Sequence, residues 1–176
     1  MSNIRNNNLF EQIKNLIEQT KQNVAISVNS SLTMMYWEIG NKINQDILKN
    51  QRAEYGKEIV VTLSRQLQDN FGKGFDEKNL RRMMQFANAI EKQKVVTLSR
   101  QLSWSHFLAL LPLQESLKIE FYAQMSIVQN WGVRTLRERI DSMLYERTAL
   151  SKQPEELIKY ELDNIKQEEF SKDMIL

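Results

Sequence analysis

The feature that most constrains the fold is a series of apolar residues at helical spacing that stops at a pair of glycines. Four apolar residues recur at every fourth position: Ile59, Leu63, Leu67 and Phe71. Gly72 and Gly74 follow, and glycine after the last turn tolerates the left-handed conformation that commonly ends a helix. Residues 55–92 are therefore predicted to form two amphipathic helices joined by a tight turn, the first closing near Phe71.

The second helix of this pair has its own start signals. Asp76 can cap the free backbone amides of a new helix, and Phe75 can pack on Leu80 as a hydrophobic staple. The predicted inner face comprises Leu80, Met83, Met84, Ala87 and Ile90. The residues on or beside the opposite face are Arg81, Arg82, Gln85, Asn88 and Lys92. This arrangement is typical of a helix-turn-helix unit that binds nucleic acid.

The outer side chains suit contact with DNA. Arginine can donate paired hydrogen bonds to guanine in the major groove, and glutamine or asparagine can pair with adenine. Lys73 and Lys78 are candidates for phosphate contacts. The competing interpretation is that any exposed helix face is rich in arginine, glutamine and lysine, and that two helices around a glycine turn are common in helical proteins.

Composition favours a mostly helical protein without disulfides. The 176 residues include only five glycines and two prolines, and 41% are hydrophobic. This length and apolar content are enough for one domain or two small ones with real cores. Cysteine is absent, which excludes disulfides and cysteine-based zinc sites and favours a reducing compartment. No apolar run approaches a membrane span and the polar N-terminus is unlike a secretory signal, so a cytoplasmic location is expected.

The formal net charge of +2 is unevenly distributed. Residues 51–105 carry ten basic and six acidic groups, so the basic excess coincides with the predicted helix pair. An excess of this sign is what a phosphate backbone attracts, and its modest size predicts a salt-sensitive module of limited affinity.

Two helices are predicted before residue 50. The first is short and contains Leu9, Ile13, Leu16 and Ile17. The second is long, with a stripe formed by Val24, Val28, Leu32, Met35, Ile39, Ile43 and Ile47. Gly40 inside it indicates close approach of another helix or a local bend. Tyr36 and Trp37 add bulk on other faces, which fits a homodimer element or a buried central helix equally well.

An octapeptide occurs twice, at residues 60–67 and 95–102, as Val-Val-Thr-Leu-Ser-Arg-Gln-Leu. Two copies are too few for a stacked-repeat solenoid, so two related helices, each opening a three-helix unit, are predicted. Ser103 is predicted to cap a helix that ends or restarts at Pro112. Further helices are expected at about 114–129 and from Val133, and residues 148–176 are predicted to form a charged helical connector.

No active site is predicted. His106 is the only histidine, which excludes paired histidine ligands, and beside Trp104 and Phe107 it is expected to be a hydrogen-bonded structural residue. Gly72 to Gly74 lacks the pattern of a phosphate loop. The Asp76-Glu77-Lys78 segment matches half of a metal-dependent nuclease motif only by chance, because it falls at a helix start rather than a sheet edge.

Several blocks, in order along residues 20–145, resemble the N-terminal domain of YhcG-like proteins of the PD-(D/E)XK nuclease superfamily. They include Met35–Gly40, Phe71–Phe75, Asn79–Met83, Leu102–His106 and Trp131–Leu136. The resemblance implies a bacterial protein with an N-terminal helical domain that binds DNA and a C-terminal nuclease domain. This chain lacks the catalytic carboxylates and lysine of that second domain, so it is expected to be no enzyme and to need no cofactor. Mg²⁺ would serve the nuclease domain only.

The combined prediction is an all-α domain with a long N-terminal helix and a helix-turn-helix unit. Residues 1–50 would form N-terminal helices and a dimer element, residues 51–147 the DNA-binding core, and residues 148–176 the connector to the absent nuclease domain. The predicted DNA contacts are Lys73, Lys78, Arg81, Arg82, Gln85, Asn88 and Lys92. The other function left open is a helical interaction or oligomerisation module that does not touch nucleic acid.

Overall fold

The computed structural model describes the backbone of residues 2–50 and 53–149 and the side chains of residues 8–49 and 56–148. The described residues form eight α-helices and no strand, which confirms the all-α prediction. The helices are α1 (Ser2–Asn50), α2 (Ala53–Phe71), α3 (Glu77–Ala89), α4 (Lys92–Leu98), α5 (Trp104–Leu110), α6 (Ser116–Val128), α7 (Val133–Asp141) and α8 (Leu144–Ala149). Almost all of the predicted connector, residues 150–176, lies outside the described residues.

The two predicted N-terminal helices are in fact one continuous helix of 49 residues. The prediction of a separate short helix was wrong because residues 18–23 contain neither glycine nor proline, so nothing there ends the helix. Near residue 20 the apolar residues move to a different face of the same helix, and the helix does not end there.

The predicted apolar stripe of α1 is only partly its packed face. Val24, Val28, Leu32 and Met35 are exposed, whereas Thr33, Trp37, Gly40 and Ile43 are buried. The helix is therefore apolar on two sides, as the bulk at Tyr36 and Trp37 indicated, and its packed face includes Thr33 and Gly40, which lie outside the predicted stripe.

Gly40 allows α1 to pack directly on the backbone of α3. A Cβ atom at this position would lie 1.9 Å from the carbonyl oxygen of Met83, far inside van der Waals contact. The prediction of a close helix approach at Gly40 is confirmed. The Trp37 indole donates a hydrogen bond of 2.8 Å to the carbonyl of Ile90 and fixes the end of α3 on the same side of α1.

The core consists of two buried clusters that share one aromatic residue. One cluster lies between α1, α2 and α3 and includes Val60, Leu80 and Met83. The other cluster lies between α1, through Trp37, and α3 and the helices that follow it. Trp104 packs on both clusters, with its ring 5.0 Å from Tyr36 and 5.2 Å from Phe86 between centroids.

The repeated octapeptide adopts two different backbones. The first copy lies entirely within α2, but the second is helical only to Leu98 and then forms a turn at residues 99–102. The prediction of two related helices is therefore wrong for the second half of the second copy. The Asn29 side chain of α1 donates to the carbonyls of Ser99 and Leu102, at 2.9 and 3.0 Å, and stabilises the turn.

Polar contacts tie α8 to α6. The Tyr122 hydroxyl donates to the carbonyl of Arg139 at 3.3 Å and accepts from the Tyr145 amide at 3.1 Å, and burial raises the pKa of this phenol. Lys118 and Glu146 form an ion pair, whose hydrogen bond raises the pKa of the lysine and lowers that of the carboxyl group. Among the described helices, none has a segment long and apolar enough to span a lipid bilayer.

Candidate nucleic-acid interface

The turn between α2 and α3 follows from its own residues. α2 ends at Phe71, and Gly72 has a φ of 89°, a conformation that L side chains rarely adopt. A single 3-10 turn at Lys73–Phe75 leads to Asp76, whose side chain accepts a hydrogen bond of 2.9 Å from the Asn79 amide. The predicted helix end and the predicted N-cap are both confirmed.

Phe71 departs from the predicted stripe of α2. Its side chain is 71% exposed and meets Phe75 edge to face, with 6.1 Å between the ring centroids. The last turn of α2 extends past the cluster on which the rest of the helix packs. Two aromatic rings therefore border the solvent-facing turn beside α3.

The inner face of α3 is close to the prediction, with one important addition. Leu80, Met83 and Ile90 are buried, while Met84 and Ala87 are partly buried. Phe86, which the sequence reasoning assigned to neither face, is fully buried against Phe107 with 4.9 Å between centroids. The helical pattern itself contained this signal, because position 86 is three residues after Met83 and four before Ile90, both of which are buried.

The outer face of α3 is open along its first two turns. Lys78, Arg81 and Gln85 are exposed, and Lys73 is exposed in the preceding turn. Arg81 forms an ion pair with Glu77 over 3.8 Å, but its side chain remains 49% exposed, so the pairing is weak and easily exchanged. The structure therefore brings four of the predicted contact residues onto one accessible surface.

Arg82 lies at the border of this surface. It is partly buried and donates to the Asn79 side chain at 3.3 Å. Arg82 and Gln85 also line a shallow groove against the turn after α5, which includes Pro112 and Gln114. Gln114 was not among the predicted contacts, because only the fold brings the turn after α5 beside α3.

Asn88 and Lys92 are engaged by α1. Asn88 accepts a hydrogen bond of 2.9 Å from the Asn44 side chain. Lys92 is not on α3 but begins α4, where its Nζ atom lies 2.5 Å from a Glu38 carboxylate oxygen and 5.7 Å from the centre of the Trp37 ring. Both side chains keep exposed surface, but each already has an intramolecular partner.

His106 has the structural role that was predicted for it. Its Nδ1 atom accepts from the Ser103 amide at 3.2 Å, and its Nε2 atom lies 3.0 Å from the Trp131 carbonyl. This pair of contacts joins the start of α5 to the turn before α7 and requires a neutral ring with its proton on Nε2. In the parts of the chain that the structure describes, no group of three or more acidic or histidine side chains could hold a metal ion.

The fold and the surface define an all-α domain with an open, cation-bearing helix, α3, beside a tight glycine turn. The chain belongs to the family described as the DUF1016 N-terminal domain, whose model matches residues 12–147. It is also 26% identical, over 174 residues, to the Escherichia coli (strain K12) protein described as "Putative nuclease YhcG". No solved structure matches.

That alignment covers 81% of this chain but 46% of the E. coli protein, so the chain spans about half the length of the curated relative it matches. The resemblance stated from the sequence blocks is confirmed. The chain is thus similar both to the DUF1016 N-terminal domain family and to part of a protein whose description names a nuclease.

Proposed function

We propose that this domain binds duplex DNA through the outer face of α3 and thereby positions a nuclease domain of a longer protein. The observation that carries the proposal is the accessible surface formed by Lys73, Lys78, Arg81 and Gln85 directly after the glycine turn. A helix presented in this way beside a second helix is the arrangement with which helix-turn-helix proteins enter the major groove.

The side chains divide into two roles. Arg81, Arg82 and Gln85 would contact base edges, where guanidinium and amide groups make paired hydrogen bonds. Lys73 and Lys78 would contact phosphates, which fix the position of the helix without reading sequence. Asn88 and Lys92 have the same chemistry, but they would have to give up or share their contacts with Asn44 and Glu38.

The nuclease part of the proposal rests on the E. coli relative. That protein carries the description "Putative nuclease YhcG", and more than half of its length lies outside the aligned region. We propose that catalysis, a PD-(D/E)XK fold and any need for Mg²⁺ belong to a segment beyond this domain, in a cytoplasmic bacterial protein. The present domain would supply affinity and position, which raises the effective concentration of a tethered nuclease near DNA.

Fluorescence anisotropy with a labelled random-sequence duplex tests DNA binding. Arg81→Ala with Arg82→Ala should weaken binding by about tenfold or more at moderate salt and reduce the salt dependence of affinity. Arg134→Ala with Arg137→Ala is the matched control, because it removes the same charge from exposed positions of α7. Equal affinity for the wild type and the α3 variant, with unchanged helical content, would reject the proposal.

A second function is favoured by a different observation. The N-terminal half of α1 carries large apolar side chains that are more than half exposed, including Leu9, Phe10, Leu16 and Val24. Apolar surface of this extent commonly marks an interaction site, so we also propose that α1 is an oligomerisation element, with a homodimer as the simplest product. Light scattering combined with the DNA titration separates the two functions, because a dimer that ignores DNA supports only the second.

A further inference from the structure

A groove runs along one edge of the open face of α3. Its first part has a volume of about 410 Å³ and is lined by Arg82, Gln85, Leu108, Leu111, Pro112 and Gln114. A second part of about 440 Å³ shares three of these residues, Gln85, Leu111 and Gln114, and continues along α3 as far as Ala89. The groove is therefore continuous, with α3 as one wall and the segment between α5 and α6 as the other.

The groove opens directly beside the residues proposed to contact DNA. At about 100° per residue around the axis of α3, Gln85 points about 20° to one side of Lys78 and Arg82 about 40° to the other. Gln85 belongs both to the accessible surface of α3 and to the lining of the groove. A ligand that covers the open face of α3 therefore also reaches the groove and its second wall.

Gln114 is the polar residue of the second wall. It is exposed, and its side chain has no hydrogen-bond partner among the described residues. The same holds for Gln85 across the groove. A side-chain amide can donate hydrogen bonds to phosphate oxygens, and the apolar surface of Leu111 and Pro112 beside Gln114 suits the carbon atoms of a deoxyribose.

The charge of the lining changes along the groove. In the part of the chain that the structure describes, no acidic residue lines the two parts beside α3, and Arg82 makes them positive. Beyond Ala89 the groove continues between α4 and α6, where Glu91 and Glu120 line it. Lys94 at this far end is already paired with Glu120 over 3.3 Å. A polyanion is therefore favoured at the Arg82 end and disfavoured at the far end.

The chain that forms the second wall is also poor in acidic residues. Residues 92–114 contain no aspartate or glutamate, although they contain three lysine or arginine residues. Glu115 follows immediately, but it lines neither part of the groove beside α3. The wall can therefore approach a phosphate backbone without the repulsion that a carboxylate in the groove would cause.

We propose that one sugar–phosphate strand of the bound duplex lies along this groove, between α3 and residues 111–114, and that Gln114 donates a hydrogen bond to a phosphate. The proposal rests on the DNA-binding function of α3 and adds a second element to the same site. A helix in the major groove is bordered by the two backbones of the duplex, so a wall beside the helix meets one of them. Gln85 keeps its contact with a base edge, because it lies on the open face itself.

Charge introduced at residue 114 tests this contact. Gln114→Lys should strengthen binding of the 176-residue chain to a labelled random-sequence duplex about threefold or more. It should also steepen the dependence of log affinity on log salt concentration by about 0.9, the value for one added phosphate contact. Gln114→Glu should weaken binding about threefold or more, because it places a carboxylate against that phosphate. Fluorescence anisotropy over a series of salt concentrations measures both.

Gln93→Lys and Gln93→Glu are the matched controls. Gln93 is exposed on α4 and lines the far end of the groove. The same charge changes there should alter the affinity by less than about twofold at about 0.15 M salt, where charges more than about 8 Å apart are largely screened. Circular dichroism should show the same helical content for all four variants, because each replaces an exposed polar residue.

Two duplexes of different base composition distinguish a phosphate contact from a base contact. Gln114→Ala should weaken binding to both by the same factor, because a phosphate contact does not depend on sequence. A loss confined to one duplex would mean that Gln114 reads a base, which overturns the placement of a backbone strand in the groove.

The outcomes separate the inference from the function on which it rests. Opposite shifts for the two charged variants at residue 114, with little change for those at residue 93, support the strand in the groove. If the variants at both positions respond alike while Arg81→Ala with Arg82→Ala still weakens binding, the inference is overturned and DNA binding by α3 stands. No measurable binding of DNA by the wild type overturns both.

Discussion

The two halves of α1 are similarly apolar, yet only one of them is packed on the domain. Residues 8–28, the lone half, are exposed throughout although they carry Leu9, Leu16 and Ile17, whereas residues 29–47, the packed half, contact α3 and α4. The packed half meets its neighbours through Gly40, which lets α1 touch the backbone of α3, and through the buried side chains of Trp37 and Ile43 on either side of it. Apolar content alone therefore does not decide which half packs: the packed half combines buried apolar side chains with a glycine that admits the neighbouring backbone.

The largest change in the free energy of unfolding is expected for substitution of Gly40, where the packed half touches the backbone of α3. In an exposed helix Gly→Ala stabilises by about 1 kcal/mol. Gly40→Ala should instead destabilise the domain by about 4 kcal/mol or more, because its Cβ would overlap the carbonyl of Met83. Urea denaturation followed by circular dichroism measures this change.

Ala25→Gly in the lone half is the matched control for Gly40→Ala. It should cost only about 1 kcal/mol of helix propensity. If Gly40→Ala proves neutral or stabilising, the close contact between α1 and α3 is not formed and the contrast between the halves fails.

The second largest loss of stability is expected for substitution of Trp37. Trp37→Leu removes both buried ring volume and the hydrogen bond to the Ile90 carbonyl, and should cost about 3 kcal/mol. Ile17→Ala in the lone half should change the stability of the monomer by less than about 0.5 kcal/mol. Chemical denaturation at low protein concentration measures both.

Varying the protein concentration gives a further test of the difference between Ile17→Ala and Trp37→Leu. Dimerisation stabilises the folded state by mass action, so the cost of Ile17→Ala should grow at high concentration while that of Trp37→Leu stays constant. A cost for Ile17→Ala that is large even at the lowest concentration would mean that residue 17 packs within its own chain.

A smaller effect is expected at Asn29, the first residue of the packed half. Asn29→Ala leaves the carbonyls of Ser99 and Leu102 without their side-chain donor and should cost about 1–2 kcal/mol. Asn23→Ala, six residues earlier on exposed helix, should be nearly neutral. Thermal unfolding of the two variants compares them, and equal midpoints would show that the turn does not need Asn29.

Sequence reasoning succeeded where a residue's own chemistry decides the structure. The end of α2 at Phe71, the cap at Asp76 and the close approach at Gly40 depend on a positive φ, a short acceptor and a missing Cβ. Each of these requirements is local, so it can be identified without knowledge of the fold.

Prediction from the sequence failed where the local structure depends on residues far away in the chain. The stripe from Val24 to Met35 is helical in pattern, but nothing within it indicates that α3 packs on the other side of α1. The two copies of the octapeptide differ for the same reason, because only the second has Asn29 beside its carbonyls.

The candidate interface shows the same division. Lys73, Lys78, Arg81 and Gln85 are exposed as predicted, since the inner face of α3 fixes the outer one. Asn88 and Lys92 are drawn toward α1 by residues more than 40 positions earlier in the chain, Asn44 and Glu38. Their use in DNA binding stays a prediction, and variants of these two residues should affect stability as well as affinity.

The smallest effect, and the only one expected to stabilise the domain, is at Thr33. This residue is fully buried in the packed half, and its hydroxyl oxygen has no hydrogen-bond partner among the described residues. Thr33→Val keeps the shape and the β-branch but removes the desolvated hydroxyl, so it should stabilise the domain by about 1 kcal/mol. Thr20→Val in the lone half is the matched control: its hydroxyl is exposed and already donates to the Leu16 carbonyl at 2.8 Å, so the same exchange should change little in the monomer. A loss of stability at Thr33, measured by urea denaturation beside the Thr20 variant, would mean that its hydroxyl is satisfied in solution and that this side of α1 is less tightly packed than the contact at Gly40 requires.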